Sequence, residues 1–462
     1  MCTSLNQFYL NCLFDNTKKY FLDWVKFVTV QPFVNRRTTY HEFFTPNFLL
    51  VWTLFATTYV YATDGYLAHG YGVKAQGMGG VGIALPQDAI AAATNPAGMG
   101  LIGDRIDFGV TWFRPQRESS IQGNASPAIN GTYEANDREI FLIPEFGYNR
   151  VITPEISLGV SVYGNGGMNT DYKKAIPLLG STAAGIDMAQ LFIAPTLAWK
   201  MTSQQTIGLS INLAYQRFKA SGLQNFTAPI GNPQQASISP NHVTNQGYDH
   251  SRGLGFRLGW IGQVNDALYF GATYQSKTHM SKFNDYKGLF AEQGDFDVPE
   301  NYGIGFALKA TPALTVAADI ERIKYSHVDS VGNSIGNMFA GNFLGTKNGP
   351  GFAWQDVTAF KLGASYIFSE NLTLRAGYNH STQPIRRSET LFNMLAPGVV
   401  QDHLTLGATW ILPNKNELSV AYMHAFEEKV RGQNSIPTIY GGGNVNLKMH
   451  EDSLGVAYGW QF

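Results

Sequence analysis

The sequence predicts an all-β chain, a 14-stranded antiparallel transmembrane β-barrel with an N-terminal hatch, or plug, in its lumen. Three observations carry this. Only 15% of the 462 residues are charged, while glycine (49 residues) and aromatics (13%) are abundant; an average soluble domain carries roughly 25% charge. Apolar residues alternate with small or polar ones at period two in segment after segment, as in a sheet with lipid on one face and a polar interior on the other. The connections between these segments alternate strictly between short and long. Helical spans would need repeated apolar runs of about 20 residues, which the chain lacks. With 33 Lys+Arg against 34 Asp+Glu, no cationic excess exists to neutralise nucleic-acid phosphates.

Residues 1–62 read as a signal peptide with an over-extended N-terminus. The apolar run Phe48 to Tyr61 follows Arg36 and Arg37 and ends at Val60-Tyr61-Ala62, a small-residue cleavage pattern. A run this short is a leader core rather than a spanning helix, with an anchor helix as the alternative. Cys2 and Cys12 both precede the cut, so the exported chain would hold no thiol, which suits an oxidising compartment.

Residues 63–103 do not alternate. They are rich in Gly and Ala, with a helix-prone piece at Asp88 to Ala93 and then Asn95-Pro96-Ala97. Gly77, Gly79 and Gly82 have dinucleotide-fingerprint spacing, but no strand precedes them and Pro86 follows closely. That excludes the βαβ context in which the spacing has meaning. Close packing of backbone against a wall is the expected use of these glycines. A compact segment before the first strand is the natural filling for a 14-strand lumen, which is otherwise wide enough to pass solutes.

Residues 104–462 form the barrel. Strands are expected near 104–116, 139–150, 154–164, 187–201, 204–219, 251–263, 266–279, 300–311, 313–325, 354–368, 371–382, 401–412, 415–430 and 443–462. Short turns then fall on one rim and long connections, such as 165–186 and 220–250, on the other, the mark of an outer-membrane barrel. Trp199, Trp260, Phe368, Trp410 and Trp460 all lie near ends that lead into short turns. They are expected in one aromatic girdle at the inner interface. Asp319, Glu321, Lys361 and Arg375 fall on polar faces and should pair across the lumen or with the hatch, because unpaired buried charge is costly.

Five stretches in order along the chain resemble the FadL/TodX-type outer-membrane transport family (OmpP1-like), which includes long-chain fatty-acid transporters and aromatic-hydrocarbon channels. The most specific is GYGVKAQGMGGVGIALPQDAIAAATNPAGMG, similar to the family's hatch with its motif at Asn95, Pro96 and Ala97. The others begin at Ile143, Val298, Phe360 and Leu418. The resemblance implies passive uptake of hydrophobic compounds, most simply long-chain fatty acids. Ligand would be caught among the outer loops, held in an internal apolar pocket, and released sideways where the third strand kinks. The matching positions are Tyr163, Gly164, Asn165, Gly166 and Gly167. Three glycines in five residues independently suit a bulge or kink, or else mark the strand's end. Ligand-binding candidates by family position are Leu223, Phe226, Phe283, Leu289 and Phe290. Arg217 and Lys219 are candidates to pair a carboxylate.

An aromatic-hydrocarbon (toluene-like) channel is the alternative within the family, and a surface adhesin or receptor barrel is the alternative outside it. No catalytic constellation or metal-ligand spacing stands out, so neither an enzyme nor a cofactor is expected. The expected partners are hydrophobic small molecules (fatty acids or hydrocarbons), outer-membrane lipids with lipopolysaccharide, and the barrel-assembly machinery. The expected location is the outer membrane of a Gram-negative bacterium.

Overall fold

In the computed structural model, which describes residues 64–462, fourteen long strands follow one another around a closed antiparallel sheet. The leader assignment to residues 1–62 lies outside the described residues. The strands are β1 (Arg105–Gln122), β2 (Phe141–Val151), β3 (Ile156–Ala175), β4 (Ala183–Lys200), β5 (Gln205–Ser221), β6 (Asp249–Gln263) and β7 (Leu268–Gln275). They continue as β8 (Asn301–Lys309), β9 (Leu314–Ile323), β10 (Val357–Ser369), β11 (Leu372–Ser381), β12 (Asp402–Ile411), β13 (Glu417–Arg431) and β14 (Asn444–Gln461). Each pairs with the next, and β1 closes the ring against β14 from Arg105↔Gln461 to Gln122↔Asn444. Closure removes the exposed strand edges that lipid could not satisfy. Two short strands, Gly131–Glu134 and His279–Met280, lie in the long connections.

Period-two alternation becomes wall geometry directly. On β5, Leu209, Ile211 and Tyr215 are exposed on the outside, whereas Gly208, Ser210, Asn212 and Gln216 are buried inside. Trp199 and Trp260 both lie opposite Ile207 in the ladder, at one level, and are exposed, as are Phe368, Trp410 and Trp460. These five rings form the expected girdle at the short-turn rim, where amphipathic aromatics favour the headgroup region.

Two expected boundaries are corrected. The first strand runs to Gln122 rather than ending near 116. The third strand does not end near residue 164; β3 runs on to Ala175 and β4 starts at Ala183. The expected loop 165–186 therefore shrinks to 176–182. Backbone pairing to β4 needs no side chains, so the glycines do not stop the strand.

Residues 64–103 fill the lumen and are almost wholly buried. They hold one short helix, α1 (Val73–Gln76), and 3₁₀ turns at Ala91–Ala93 and Pro96–Gly100. The helix expected over Asp88 to Ala93 is thus only a turn. A segment with so little internal secondary structure must find partners for its backbone elsewhere, and the wall provides them. Glu145 accepts from the N–H groups of Gly72 (3.2 Å) and Val73 (3.0 Å), and Asp319 from those of Gly82 (2.7 Å) and Ile83 (3.0 Å). Lys361 pairs with Glu321 (3.0 Å) and with Asp64 of the hatch (3.3 Å), and Arg375 donates to Gln87 (2.8 Å). All four charges expected in the lumen are used this way. The hatch also touches bare backbone: a Cβ on Gly377 would sit 2.1 Å from the Gly79 nitrogen, and Gly79 itself has φ +71°. Only glycine serves at both places.

Candidate functional site

Among the long loops, Leu179, Leu223, Phe226, Leu289, Phe290 and Phe392 line an almost entirely apolar cleft of about 520 Å³, its open mouth included. Loop segments from β5–β6 and β7–β8 meet there because Phe218, at the top of β5, gathers rings around itself. It lies 4.6 Å from Phe290, 4.8 Å from Tyr286 and 5.8 Å from Phe283, centroid to centroid. Four of the sequence candidates, Leu223, Phe226, Leu289 and Phe290, thus share one wall, and Phe283 backs it from behind. Beside the cleft, burial and then the neighbouring Asp297 and Glu292 push the Asp295 carboxyl up to about 6. The Asp295 carbonyl accepts from Ser330, a lining residue.

Arg217 and Lys219 are not part of this cleft. They occupy odd positions of β5, the outward face shared with Leu209 and Tyr215, while Phe218 between them points in. The period-two pleat turns both away from it.

A second, narrower hollow, about 310 Å³ with its open mouth included, lies against the hatch, lined by Tyr66, Phe113, Arg117, Met168, Trp354 and Met449 among others. Phe352 and Leu395 border the outer cleft, and Trp354 and Ala396 border this inner cavity, so two short segments form the partition between them. Arg117 is buried on the inward face of β1. It donates to the carbonyl (2.6 Å) and Oδ1 (3.0 Å) of Asn169 and to the Arg138 carbonyl (2.6 Å), all neutral acceptors. It forms no ion pair among the described residues. The carboxylate of Glu451, on the adjoining β14, is buried without a hydrogen-bond partner.

Met168 and Asn169 belong to β3 just above its irregularity. Gly164 pairs with Leu191 and Gly166 with Gln190, so Asn165 is an extra residue in the ladder, a β-bulge. Below it, β3 pairs with β2 only up to Phe146↔Val162. Above it, β2 stays on β1 as far as Phe141↔Phe113, whereas β3 takes partners from other segments. Leu67 of the hatch bridges to Gly166, Gly167 donates to the Tyr66 carbonyl (2.9 Å), and Asn136 bridges to Asp171. Residues 141–145 of β2 and 163–170 of β3 are therefore not laddered to each other, which leaves an interruption in the wall. Residues 163–170 are buried on both faces, so this half-strand lies inside the wall line. Tyr163 packs on Tyr71 (4.9 Å) and Phe192 (5.8 Å), and Tyr71 donates to the Asn165 carbonyl (3.0 Å). A Cβ on Gly166 would meet the Tyr66 oxygen at 2.3 Å.

The Asn95-Pro96-Ala97 motif lies on the floor of the hatch. Asn95 Oδ1 caps the following turn by accepting from Ala97 (3.1 Å), and its Nδ2 donates to the carbonyls of Ile83 (2.7 Å) and Trp260 (3.0 Å). Pro96 takes the first turn position, where a missing N–H costs nothing.

A closed 14-strand barrel with an internal hatch and an interrupted third strand narrows the possible kinships, and residues 55–462 match the family described as outer membrane protein transport protein (OMPP1/FadL/TodX). The chain belongs to this family. It is therefore an outer-membrane protein of a family that transports hydrophobic substrates. A Neisseria meningitidis serogroup B protein is 22% identical over 266 residues, 51% of this chain and 56% of its own length, so the match spans little more than half of that relative. The long-chain fatty acid transport protein of Escherichia coli O157:H7 is 22% identical over 75% of this chain and 84% of its own. The crystal structure of the Pseudomonas putida toluene transporter TodX shares the fold, with a TM-score of 0.62 at 17% identity over 85% of this chain and 99% of that one.

Sequence reasoning missed Arg117. The signal was present: continuing the alternation of β1 past residue 116 places it inward with Thr111 and Phe113.

Proposed function

We propose that this barrel takes up long-chain fatty acids, catching the chain in the outer cleft and holding it in the inner cavity with its carboxylate on Arg117. One observation carries the reading: an apolar cavity in whose wall a buried guanidinium bonds only neutral acceptors. A buried cation with no carboxylate in direct contact favours an anionic headgroup, and a charge-assisted bond contributes about 1.5–3 kcal/mol. The fatty acid then leaves between β2 and β3 into the bilayer. That route avoids hydrating the chain, at roughly 0.8 kcal/mol per CH₂. The kink residues Tyr163 to Gly167 shape this exit, and Asn95, Pro96 and Ala97 hold the hatch beneath it.

Aromatic-hydrocarbon uptake is the second reading, favoured by the rings of Tyr66, Phe113 and Trp354 around the same cavity. Uptake of labelled oleate and labelled toluene, in cells lacking their own fatty-acid channel, separates the two. Arg117→Met should lower oleate uptake by about 10- to 100-fold and leave toluene entry unchanged. Toluene entry with no oleate uptake in the parent protein would refute the fatty-acid reading.

A further inference from the structure

The two cations turned away from the pocket stand in a patch of their own. On the outside of the barrel Arg217 lies opposite His250, and Tyr215 opposite Arg252, with Lys219 two residues further up β5. Cross-strand neighbours are about 5 Å apart and alternate residues about 7 Å, so three cations and a histidine occupy one small area. Tyr248, itself exposed, packs against them, its ring 4.9 Å from the Arg217 guanidinium and 5.7 Å from the Lys219 ammonium. The adjacent carboxylate, Asp187, is already engaged by Arg138 (2.7 Å) and by the Tyr248 hydroxyl (2.7 Å), and lies 3.8 Å from Arg217. Nε and Nη2 of Arg217 are buried without a hydrogen-bond partner, the side chain being only 15% exposed, whereas Lys219 and Arg252 are exposed and form no ion pair among the described residues. One carboxylate shared among so many cations leaves a net positive patch, which favours a negative partner.

Its height on the barrel identifies that partner. Ile207, level with Trp199 and Trp260, marks the inner girdle. From there Arg217 is ten residues up β5, about 33 Å along the strand. At a strand tilt of about 40° this is about 25 Å along the barrel axis, the height of the lipid-facing apolar band. Ile211, Leu254, Phe256 and Leu258 are exposed in the interval. The patch thus begins where hydrocarbon ends on the long-loop side, at the headgroup level of the outer leaflet. We infer that Lys219 and Arg252, with the charge of the more deeply set Arg217 behind them, bind the phosphate groups of the phosphorylated glycolipid, the lipid A of lipopolysaccharide, that forms this leaflet. Arg252 supplies paired donors to phosphate oxygens and Lys219 a mobile point charge.

The test uses the full barrel purified in detergent, titrated with diphosphoryl lipid A and with the same acylated disaccharide stripped of phosphate. Tighter binding of the phosphorylated form is expected. Each cation near an anionic headgroup layer multiplies affinity roughly fivefold. The triple variant Arg217→Gln, Lys219→Gln, Arg252→Gln should therefore lose on the order of a hundredfold. The double variant Lys309→Gln, Lys415→Gln, which removes exposed charge at the short-turn rim, should bind like the parent. Equal affinity for both lipids overturns the inference even if the triple variant fails to fold. So does a triple variant that remains a heat-modifiable barrel and binds undiminished, or a short-turn-rim variant that loses as much.

Discussion

Replacing Asn95 by alanine tests whether the hatch is held by specific bonds or merely by confinement. The change deletes the cap to Ala97 and both strong donations from Nδ2, to Ile83 and Trp260. Loss of an N-cap costs about 1 kcal/mol, and each buried carbonyl left without a donor costs about 1–3 kcal/mol. With the low end for each of the two carbonyls, the hatch floor loses about 3 kcal/mol, or roughly two powers of ten in its opening equilibrium. Hydrogen exchange on the intact barrel reads this directly. The amides of Thr94 (to Ala91, 3.0 Å) and Leu101 (to Gly98, 2.9 Å) flank the motif and use no Asn95 side-chain atom, so any loss of their protection reports opening of the unit. Their exchange should accelerate about a hundredfold, while that of β-strand amides far from the hatch stays constant. Asn95→Asp keeps the acceptor but removes both donors, and should fall between parent and alanine. Protection of Thr94 and Leu101 unchanged within threefold in Asn95→Ala would refute the reasoning.

Three further outcomes are expected. Gly377→Ala places a methyl 2.1 Å from the Gly79 nitrogen and 2.2 Å from the Met78 carbonyl carbon, backbone atoms that cannot rotate away. The hatch should shift, and cells should become sensitive to a bulky hydrophilic antibiotic; unchanged sensitivity would mean the hatch is not seated on β11. Lys361→Met leaves Asp64 and Glu321 without their shared cation, a loss of about 3–5 kcal/mol. It should lower the temperature at which the barrel unfolds on gels, with recovery when Asp64→Asn and Glu321→Gln are added. Asp295 has its acidity weakened in the folded loop, to about 6, so the folded state holds its proton more tightly than the unfolded chain. Its stabilising contribution is complete below the ordinary carboxyl value near 3.8 and is lost as pH rises through about 6. Exchange at the Asp295 and Gly294 amides should therefore speed up between pH 4 and 7 beyond the intrinsic trend, and Asp295→Asn, read at the same amides, should abolish that excess.

Lipid made most of the fold legible. Wherever a strand crosses the bilayer its outward side chains must be apolar, so β4 to β14 could be located to within a few residues from alternation alone. The errors lie where strands rise above the membrane. On β1 the outward residues past Trp112 are Arg114, Gln116, Glu118 and Ser120, which no longer differ in polarity from a loop, so the strand was cut short and Arg117 was lost with it. On β3 the glycines carry no pattern, and the backbone ladder to β4 leaves no trace in composition. The apolar cleft residues were recognisable as exposed-looking aromatics in long loops, but their meeting around Phe218 depends on distances the chain order does not encode. Parity with Leu209 and Ile211 turns Arg217 and Lys219 outward, which the sequence alone already shows.

The bulge at Asn165 divides one strand into two regimes of permissible change. From Ile156 to Val162, half the side chains meet lipid, and almost any apolar residue of suitable size can replace another there. From Tyr163 to Thr170 both faces are enclosed, with the hatch against Gly166 and the inner cavity against Met168. A lineage adapting to a new hydrophobe therefore has little freedom within the upper half-strand and more in the cavity residues borne by Phe113 and Met449 on the neighbouring β1 and β14. Substrate range can drift along those two strands while the exit stays fixed in sequence.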